Sequence, residues 1–257
     1  MTGLVLGIDI GGSGIKGALV DLNVGDFASE RVRIPTPKKS TPEKVAAVTA
    51  RIVQHFADQL DDTTPIGVTI PAVVTHGVVR TAANIDKAWI DADGKKIFEE
   101  VIGRPITLMN DADAAGVAEV QYGAAKGHPG FVLVTTLGTG IGSAIINRGV
   151  LVPNTELGHI ELDGHDAETQ ASSGVKSKLG LSYSEWIPRL QRYYSHVEGL
   201  FWPDLFVVGG GISKNASKFL PKLKLKTPIV AAELKNRAGI IGAAWMAADS
   251  LENPDVV

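Results

Sequence analysis

The sequence predicts an α/β protein whose two halves share one structural plan. An apolar run at residues 4–10 enters a glycine-rich turn and returns as a second apolar run at residues 15–20, and the same order recurs at residues 131–146. Segments with helical spacing alternate with these strands. Repetition of one strand, turn and strand unit indicates two related halves. With 257 residues, 44% of them hydrophobic, the chain can fill one large or two small cores.

The first glycine turn is the most distinctive stretch. Glycines that follow the single carboxylate Asp9 let backbone N–H groups approach an anion such as a phosphate. An unpaired carboxylate in an apolar strand costs roughly several kcal/mol, so Asp9 should meet a metal-bound water, a cation or a donor. Residues 12–17 match Gly-x-Gly-x-x-Gly, but a strand rather than the helix of a dinucleotide fold should follow, and the Walker spacing is absent. An ordinary glycine-rich hairpin remains an alternative.

The first half continues with short strands around one helix. Residues 27–34 predict a third strand, and a capping signal at residues 40–43 begins a helix that runs to about residue 60. Residues 66–71 predict a strand that enters a turn, and residues 73–81 predict one arm of a hairpin.

Polar side chains follow the next strand. Residues 106–109 predict a strand that ends in Asn110, Asp111 and Asp113, and residues 114–122 predict a helix. Open α/β sheets keep their chemistry at the carboxyl ends of strands. These three side chains are therefore functional candidates.

The second half repeats the plan and adds helices. A strand at residues 131–136 enters a second glycine-rich turn at residues 137–142. Residues 163–178 are polar without strong periodicity, whereas residues 183–200 predict a long amphipathic helix. Residues 205–213 predict a strand that enters a third glycine-rich turn, and residues 238–249 predict a final helix.

Composition narrows the class of protein. Cysteine is absent, which excludes disulfides and thiolate zinc sites and is compatible with a reducing cytoplasm. No signal-type segment precedes the first strand, and no apolar run reaches the length of a membrane span, so we expect a cytoplasmic protein without a membrane partner. A net charge of −3 gives no general attraction to nucleic acid.

Three phosphate-type turns with an Asn-Asp pair between the first two resemble the sugar kinases of the actin, heat-shock ATPase and hexokinase superfamily. More narrowly, Gly-x-Asp-x-Gly-Gly-x-x-x-Lys at residues 7–16, Asn-Asp-Ala-Asp at residues 110–113 and Glu-Leu-Gly-His at residues 156–159 resemble the ROK family. The resemblance covers nearly the whole chain. It implies a two-domain actin-like ATPase or hexokinase (ribonuclease H-like) fold with a sugar cleft. We expect domains at residues 1–109 and 110–237, with the last helix, about residues 238–250, packed on the first.

One loop departs from the ROK pattern. ROK members usually carry a Cys-x-Cys-Gly-x-x-Gly-Cys zinc loop, whereas this chain has Asp-Gly-His-Asp-Ala-Glu at residues 163–168, so no zinc is expected. That loop and residues 191–198 resemble the polyphosphate glucokinases, some of which use polyphosphate or ATP on glucose and mannose. The resemblance implies phosphoryl transfer from polyphosphate or ATP to the 6-hydroxyl of glucose, and of mannose as a second substrate, with Mg²⁺ as cofactor, by a monomer or homodimer.

The resemblance also assigns the sugar site. Asp111 is implied as the general base, because a carboxylate can orient the sugar hydroxyl and take its proton late in phosphoryl transfer. Asp113 serves as the structural comparison, since an acid in a first helical turn stabilises the helix. The implied sugar ligands are Asn110, Asp111, Glu156, His159, Glu168 and Asn84. The structural alternative for His159 is a histidine whose hydrogen bonds are satisfied within its loop, and for Glu156 it is a solvated carboxylate.

The glycine turns are implied to hold the phosphoryl donor. The first turn would bind the transferred phosphate and, through Asp9, the hydration shell of Mg²⁺, which prefers oxygen ligands and keeps its waters. The third turn would lie alongside the adenosine of the donor. Alternatively, its glycines would only allow a helix to pack closely on the sheet. The implied donor-binding residues are Asp9, Gly11, Gly12, Ser13, Lys16, Thr136, Gly138, Thr139, Gly140, Gly209, Gly210 and Gly211.

A lysine-rich segment bears on the identity of the donor. Between Lys214 and Arg237 the only acid is Glu233, and the other lysines are Lys218, Lys222, Lys224, Lys226 and Lys235. We call the six lysines of this segment the basic track. A long polyanion would bind it in a salt-dependent manner, although a solvated basic face is the alternative.

Three other functions share parts of this sequence pattern. An ATP-only ROK hexokinase would make no use of polyphosphate. A sugar-sensing ROK repressor would need a helix-turn-helix domain ahead of the first turn, which starts by Gly7. An actin-like or chaperone-like ATPase is disfavoured by the sugar-type segment at residues 156–159 and by the short chain.

Overall fold

The computed structural model describes residues 3–83 and 85–253 of the chain. It divides into two compact units, one of Met1–Ala114 with Arg237–Val257 and one of Ala115–Asn236. Among the described helices none combines the length and apolar character needed to span a membrane.

The elements are numbered in chain order. The strands are β1 (Leu4–Gly11), β2 (Gly14–Asp21), β3 (Asp26–Phe27), β4 (Val32–Ile34), β5 (Ile66–Ile70), β6 (Val74–Thr75), β7 (Val78–Val79), β8 (Thr107–Asn110), β9 (Phe131–Leu137), β10 (Ile141–Asn147), β11 (Val150–Val152), β12 (Glu161–Leu162), β13 (His165–Asp166), β14 (Leu205–Gly209) and β15 (Ile229–Ala231). The α-helices are α1 (Pro42–His55), α2 (Gly94–Ile102), α3 (Asp111–Tyr122), α4 (Glu168–Ala171), α5 (Ser173–Lys178), α6 (Tyr183–Phe201) and α7 (Ala238–Glu252).

The first unit is built on a mixed sheet in the order β3-β2-β1-β5-β8, with β4 also paired to β2. The hairpin β1/β2 is antiparallel, as the sequence pattern predicts, and β5 and β8 then add in parallel. Buried side chains of β1 and α1, such as Ile8 and Ile52, form its core together with the stacked rings of Trp89 and Phe98. This arrangement leaves the glycine turn at one end of β1.

The backbone of helix α7 packs directly against the backbone of strands β1 and β5 in this sheet. A Cβ added to Gly7 of β1 would lie 2.1 Å from the carbonyl oxygen of Ile240, and one added to Gly67 of β5 would lie 1.9 Å from that of Ala243. Since glycine has no Cβ, the helix backbone can approach both strands closely.

The predicted strand at residues 27–34 is wrong, because the structure divides it into β3 and β4. The Ser29 hydroxyl accepts the backbone N–H of Leu19 at 3.0 Å and takes the place of a strand carbonyl. This side-chain bond interrupts the ladder, and residues 28–31 form no strand, although the N–H of Ala28 still donates to the Leu19 carbonyl at 2.8 Å.

The predicted capping box at residues 40–43 is also wrong. The N-cap of α1 is Thr41, which makes no side-chain cap bond, and Pro42 occupies the first helical position. The Ser40 hydroxyl instead accepts the N–H of Asp86 at 3.2 Å. The helix ends at His55 rather than near residue 60, and Ala57–Gln59 form a 3₁₀ turn.

Two further elements of this unit differ from expectation. Residues 73–81, predicted as one arm of a hairpin, contain the complete hairpin β6/β7. Helix α2 was not predicted at all, although Asp93 caps it by accepting the N–H of Lys96 and Gly103 ends it in the left-handed conformation. Both signals are visible in the sequence.

The second unit repeats the plan of the first. Its sheet has the order β11-β10-β9-β14-β15, in which β9/β10 is an antiparallel hairpin, β14 pairs in parallel with β9, and β15 pairs in parallel with β14. Helix α6 matches the predicted long helix and begins with a capping box between Ser182 and Glu185. Its Trp186 and Tyr194 lie in the core beside Phe206. The polar stretch at residues 163–178, whose sequence has no strong periodicity, forms β13, α4 and α5.

Candidate active site

Asp9 lies near the end of β1 and has both a cation and a donor beside it. Lys16, its cross-strand partner in β2, places Nζ 2.9 Å from Oδ2, and the Thr69 hydroxyl of β5 donates to Oδ1 at 3.1 Å. The side chain of Asp9 is 18% exposed. The expected partner for a strand carboxylate is therefore present, and a carboxylate with about four lone-pair sites keeps acceptor capacity for a hydrated cation.

The turn between β1 and β2 is exposed at Gly12 and Ser13. Gly11 and Gly14 face each other where the hairpin closes. The guanidinium of Arg33 donates to the Ser13 carbonyl at 2.7 Å, and a Cβ on Gly14 would lie 2.6 Å from Arg33 Nε. The sequence prediction missed Arg33, which adds a second cation beside this turn; its only signal is a lone arginine in a short strand.

Helix α3 begins at Asp111 rather than at residue 114. Both Asp111 and Asp113 therefore lie in its first turn, so position in the helix does not distinguish the predicted base from its comparison. They differ in exposure, because Asp113 is 3% exposed whereas Asp111 is half-buried.

Asn110 is buried and fixes the start of this helix. Its side-chain oxygen accepts the N–H groups of Ala112 at 2.7 Å and Asp113 at 3.1 Å, and its amide donates to the carbonyl of Ala72 at 3.1 Å. Asn110 thus acts as a helix cap, which holds the backbone of Asp111 in place.

The second glycine turn is closed from within and joined to Glu168. The N–H of Gly138 donates to the carbonyl of Gly140 at 3.0 Å. Glu168 accepts the N–H of Ile141 at 2.9 Å, and a Cβ on Gly140 would lie 2.1 Å from the same carboxylate oxygen. Thr139 completes the turn, and Thr136 pairs with Gly142 just before it.

Glu156, His159 and Glu168, which the sequence analysis implied as sugar ligands, are close together in the second unit. Oε2 of Glu156 is 3.8 Å from Nε2 of His159. Burial raises the pKa of Glu156, and the neighbouring Glu168 adds to this while His159 opposes it. The pKa of His159 is raised chiefly by its hydrogen bond to Asp166, with Nδ1 and Oδ2 2.8 Å apart. The sequence prediction quoted the segment that contains Asp166 without assigning it a role.

The same cluster is the one place in the described residues where three possible metal ligands meet. Ligand atoms of His159, Asp166 and Glu168 lie within 4.8 Å of one another. Two of these groups are already joined by the His159–Asp166 hydrogen bond, and Glu168 is bound to Ile141 N–H. The geometry is that of a hydrogen-bonded network of a histidine and two carboxylates.

The third glycine turn is explained in part by packing. Gly210 has a φ of 82°, and a Cβ there would lie 2.4 Å from the Leu137 carbonyl oxygen, so only glycine fits. Gly209 pairs with Thr136 in the sheet, and Gly211, which begins a 3₁₀ segment, has open space around it. Asn84, the remaining sugar-ligand prediction, lies outside the described residues.

The basic track consists entirely of exposed side chains. Lys214, Lys218, Lys222, Lys224, Lys226 and Lys235 are all exposed in the second unit. Lys218 and Lys226 place Nζ 5.6 Å and 5.1 Å from the ring centroids of Tyr183 and Trp202. Arg237 belongs to the first unit and pairs with Asp26.

Solved sugar kinases share this fold. The inorganic polyphosphate/ATP-glucomannokinase from Arthrobacter sp. strain KM matches with a TM-score of 0.93 at 54% identity, over 97% of this chain and 100% of that one. The ROK family glucokinase from Streptomyces griseus, solved in complex with glucose and AMPPNP, matches with a TM-score of 0.78 at 25% identity, over 96% and 100%. The fold is therefore that of the actin-like, hexokinase-type sugar kinases, as predicted.

The chain belongs to the ROK family, whose sequence pattern matches residues 5–177. Polyphosphate glucokinase of Mycobacterium tuberculosis is 51% identical over 239 residues, which are 93% of this chain and 89% of that protein. The resemblance stated from the motifs is confirmed.

Proposed function

We propose that this protein is a kinase that transfers a phosphoryl group from inorganic polyphosphate or ATP to the 6-hydroxyl of glucose. The observation that carries the proposal is the 54% identity, over nearly the full length of both chains, to a polyphosphate/ATP-glucomannokinase. The glucokinase similarity adds ATP-type donors and glucose. We propose mannose as a second acceptor on the same ground.

Asp111 is proposed as the general base. Phosphoryl transfer depends mostly on positioning and charge neutralisation, so the base has to orient the hydroxyl and accept its proton late. Asn110 supports this role because it caps the helix that begins with Asp111. We propose that Asn110, Glu156, His159 and Glu168 bind the sugar, since a hexose needs several fixed donors and acceptors. Asn84 is proposed with them from the sequence alone.

The donor phosphates are proposed to bind at the first turn, near Lys16 and Arg33. Mg²⁺ would be held through water by Asp9, whose carboxylate fits this role because it is partly exposed and keeps acceptor capacity beside its bonds to Lys16 and Thr69. When bound, the ion would neutralise charge on the donor. The other turn residues, Gly11, Gly12, Ser13, Thr136, Gly138, Thr139, Gly140, Gly209, Gly210 and Gly211, are proposed to complete the donor site. The cytoplasm is proposed as its location, and a monomer or homodimer as its state.

Donor use tests the proposal directly. Sugar 6-phosphate formation is measured from glucose and Mg²⁺ with nucleotide-free polyphosphate or with ATP as the sole donor, and we expect product from both. Product from ATP alone would identify an ATP-only ROK hexokinase. Product from neither donor would refute the proposed function.

The basic track supplies a prediction about the polyanionic donor. Replacing Lys222 and Lys224 by glutamate should raise the KM for long polyphosphate about tenfold and leave the KM for ATP nearly unchanged, because a long polyanion binds by counterion release. The KM for polyphosphate of the unmodified protein should also rise with salt. Lys95→Glu with Lys96→Glu, on exposed positions of α2, is the control for net charge. If the two variants had equal effects, the basic track would be a solvated face and not a binding site for polyphosphate.

A single methyl group at Gly140 should disturb the proposed sugar site through Glu168. Gly140→Ala should raise the KM for glucose about tenfold, because the new Cβ would displace the Glu168 carboxylate from Ile141 N–H. Gly138→Ala is the matched control, since a Cβ there meets nothing within 4 Å, and it should leave the KM for glucose unchanged. The proposed role of Glu168 would be wrong if both variants bound glucose equally well.

A further inference from the structure

Asp166 contacts two of the three sugar-ligand candidates that lie after the second turn, His159 and Glu168. One carboxylate oxygen, Oδ2, is 2.8 Å from Nδ1 of His159, and the other, Oδ1, accepts the backbone N–H of Glu168 at 3.2 Å. The Asp166 carbonyl also accepts the Thr169 hydroxyl at 2.6 Å. Asp166 therefore links His159 to the first turn of α4, the helix that begins at Glu168.

This contact determines what His159 can do. A carboxylate only accepts hydrogen bonds, so Nδ1 of His159 must carry the proton that lies between them. In the neutral ring, Nε2 is then an acceptor, and in the charged ring it is a donor. Nε2 is the nitrogen on the Glu156 side, 3.8 Å from Oε2 of that residue.

We infer that Asp166 is a positioning residue of the proposed sugar site, which fixes the tautomer and orientation of His159 and the start of the helix that presents Glu168. The inference rests on the proposed function. Asp166 itself is not placed in contact with sugar. The charged groups that face His159 are Asp166, Glu156 and Glu168, and all three raise its pKa while partial burial lowers it.

The test combines NMR of the His159 ring with kinetics of the isosteric variant Asp166→Asn. In Asp166 the two donors bind opposite carboxylate oxygens, His159 at Oδ2 and the N–H of Glu168 at Oδ1. An asparagine in the same position has an acceptor oxygen on one side only, so it can keep just one of these two hydrogen bonds. Two-bond ¹H–¹⁵N spectra, assigned with His159→Gln, report which ring nitrogen carries the proton and the pKa of the ring. The control is Asp163→Asn, which removes the same charge from the same loop. The Asp163 carboxylate pairs with Arg192, at 2.8 and 2.9 Å, rather than with His159 or Glu168.

We expect a proton on Nδ1 in the unmodified protein, and a lower His159 pKa in Asp166→Asn. The KM for glucose should rise about tenfold, with kcat changed less than about threefold, because a binding contact is weakened. The control should change none of these. Thermal unfolding of each variant reports whether the fold is retained, and the tautomer of His159 is measured in the unmodified protein itself.

Several results would overturn the inference. An active protein whose neutral His159 carries its proton on Nε2, or whose Asp166→Asn variant keeps the same pKa and KM, would refute it alone. A tightly bound zinc that Asp166→Asn releases would make Asp166 a metal ligand instead. A protein that phosphorylates no sugar would refute the proposed function together with the inference.

Discussion

Replacing Asp111 by asparagine should lower kcat at least ~100-fold while leaving glucose affinity largely intact, as the loss of a general base implies. Asparagine keeps the size and the polar character of the side chain but cannot accept the hydroxyl proton. The measurement is steady-state sugar phosphorylation, with glucose affinity from equilibrium titration in the absence of donor.

The matched control for this prediction is Asp113→Asn. It removes the same charge from the same first turn of α3, where acidic side chains stabilise the helix N-terminus. Any effect that comes from helix stability should appear in both variants, whereas loss of the base should appear only at Asp111. Near-normal turnover of Asp111→Asn would exclude it as the base.

Gly67→Ala should destabilise the protein by about 3 kcal/mol, because overpacking at a rigid contact is costly. The added Cβ would lie 1.9 Å from the carbonyl oxygen of Ala243 and 2.4 Å from its carbonyl carbon. A backbone group cannot rotate away as a side chain can, so α7 would have to move off β5. Urea unfolding followed by circular dichroism measures the change.

The same substitution at Gly199 should have the opposite sign. Gly199 lies on the exposed side of α6, where a Cβ meets nothing within 4 Å, and alanine is favoured over glycine in a helix by about 0.5–1 kcal/mol. Equal unfolding free energies for the two variants would mean that α7 does not depend on close approach to β5.

The sequence predicted the parts of the fold that depend on local periodicity. The two hairpins and helices α6 and α7 follow directly from apolar spacing and glycine turns. The errors arose where a side chain competes with the backbone. Ser29 interrupts a strand by accepting the N–H of Leu19, and Asn110 starts α3 three residues early by capping it. Neither contact has a period that a sequence pattern reveals.

The candidate site follows the same division. The resemblance to the ROK family implied Glu156, His159 and Glu168 as sugar ligands, and the structure brings these three close together. Asp166 and Arg33 escaped notice because their roles depend on partners distant in sequence or on loop geometry. The internal bond that uses the N–H of Gly138 was equally invisible, since glycine content indicates a turn but not where its N–H groups point.

The placement of α7 has a consequence for biosynthesis. Residues 115–236 form a continuous unit, so the ribosome delivers every part of it before α7 emerges. The first unit, in contrast, needs α7 to cover the glycine-lined face of β1 and β5. The first unit, although it begins the chain, is therefore completed last. Its β1/β5 sheet stays partly uncovered until α7 has been translated.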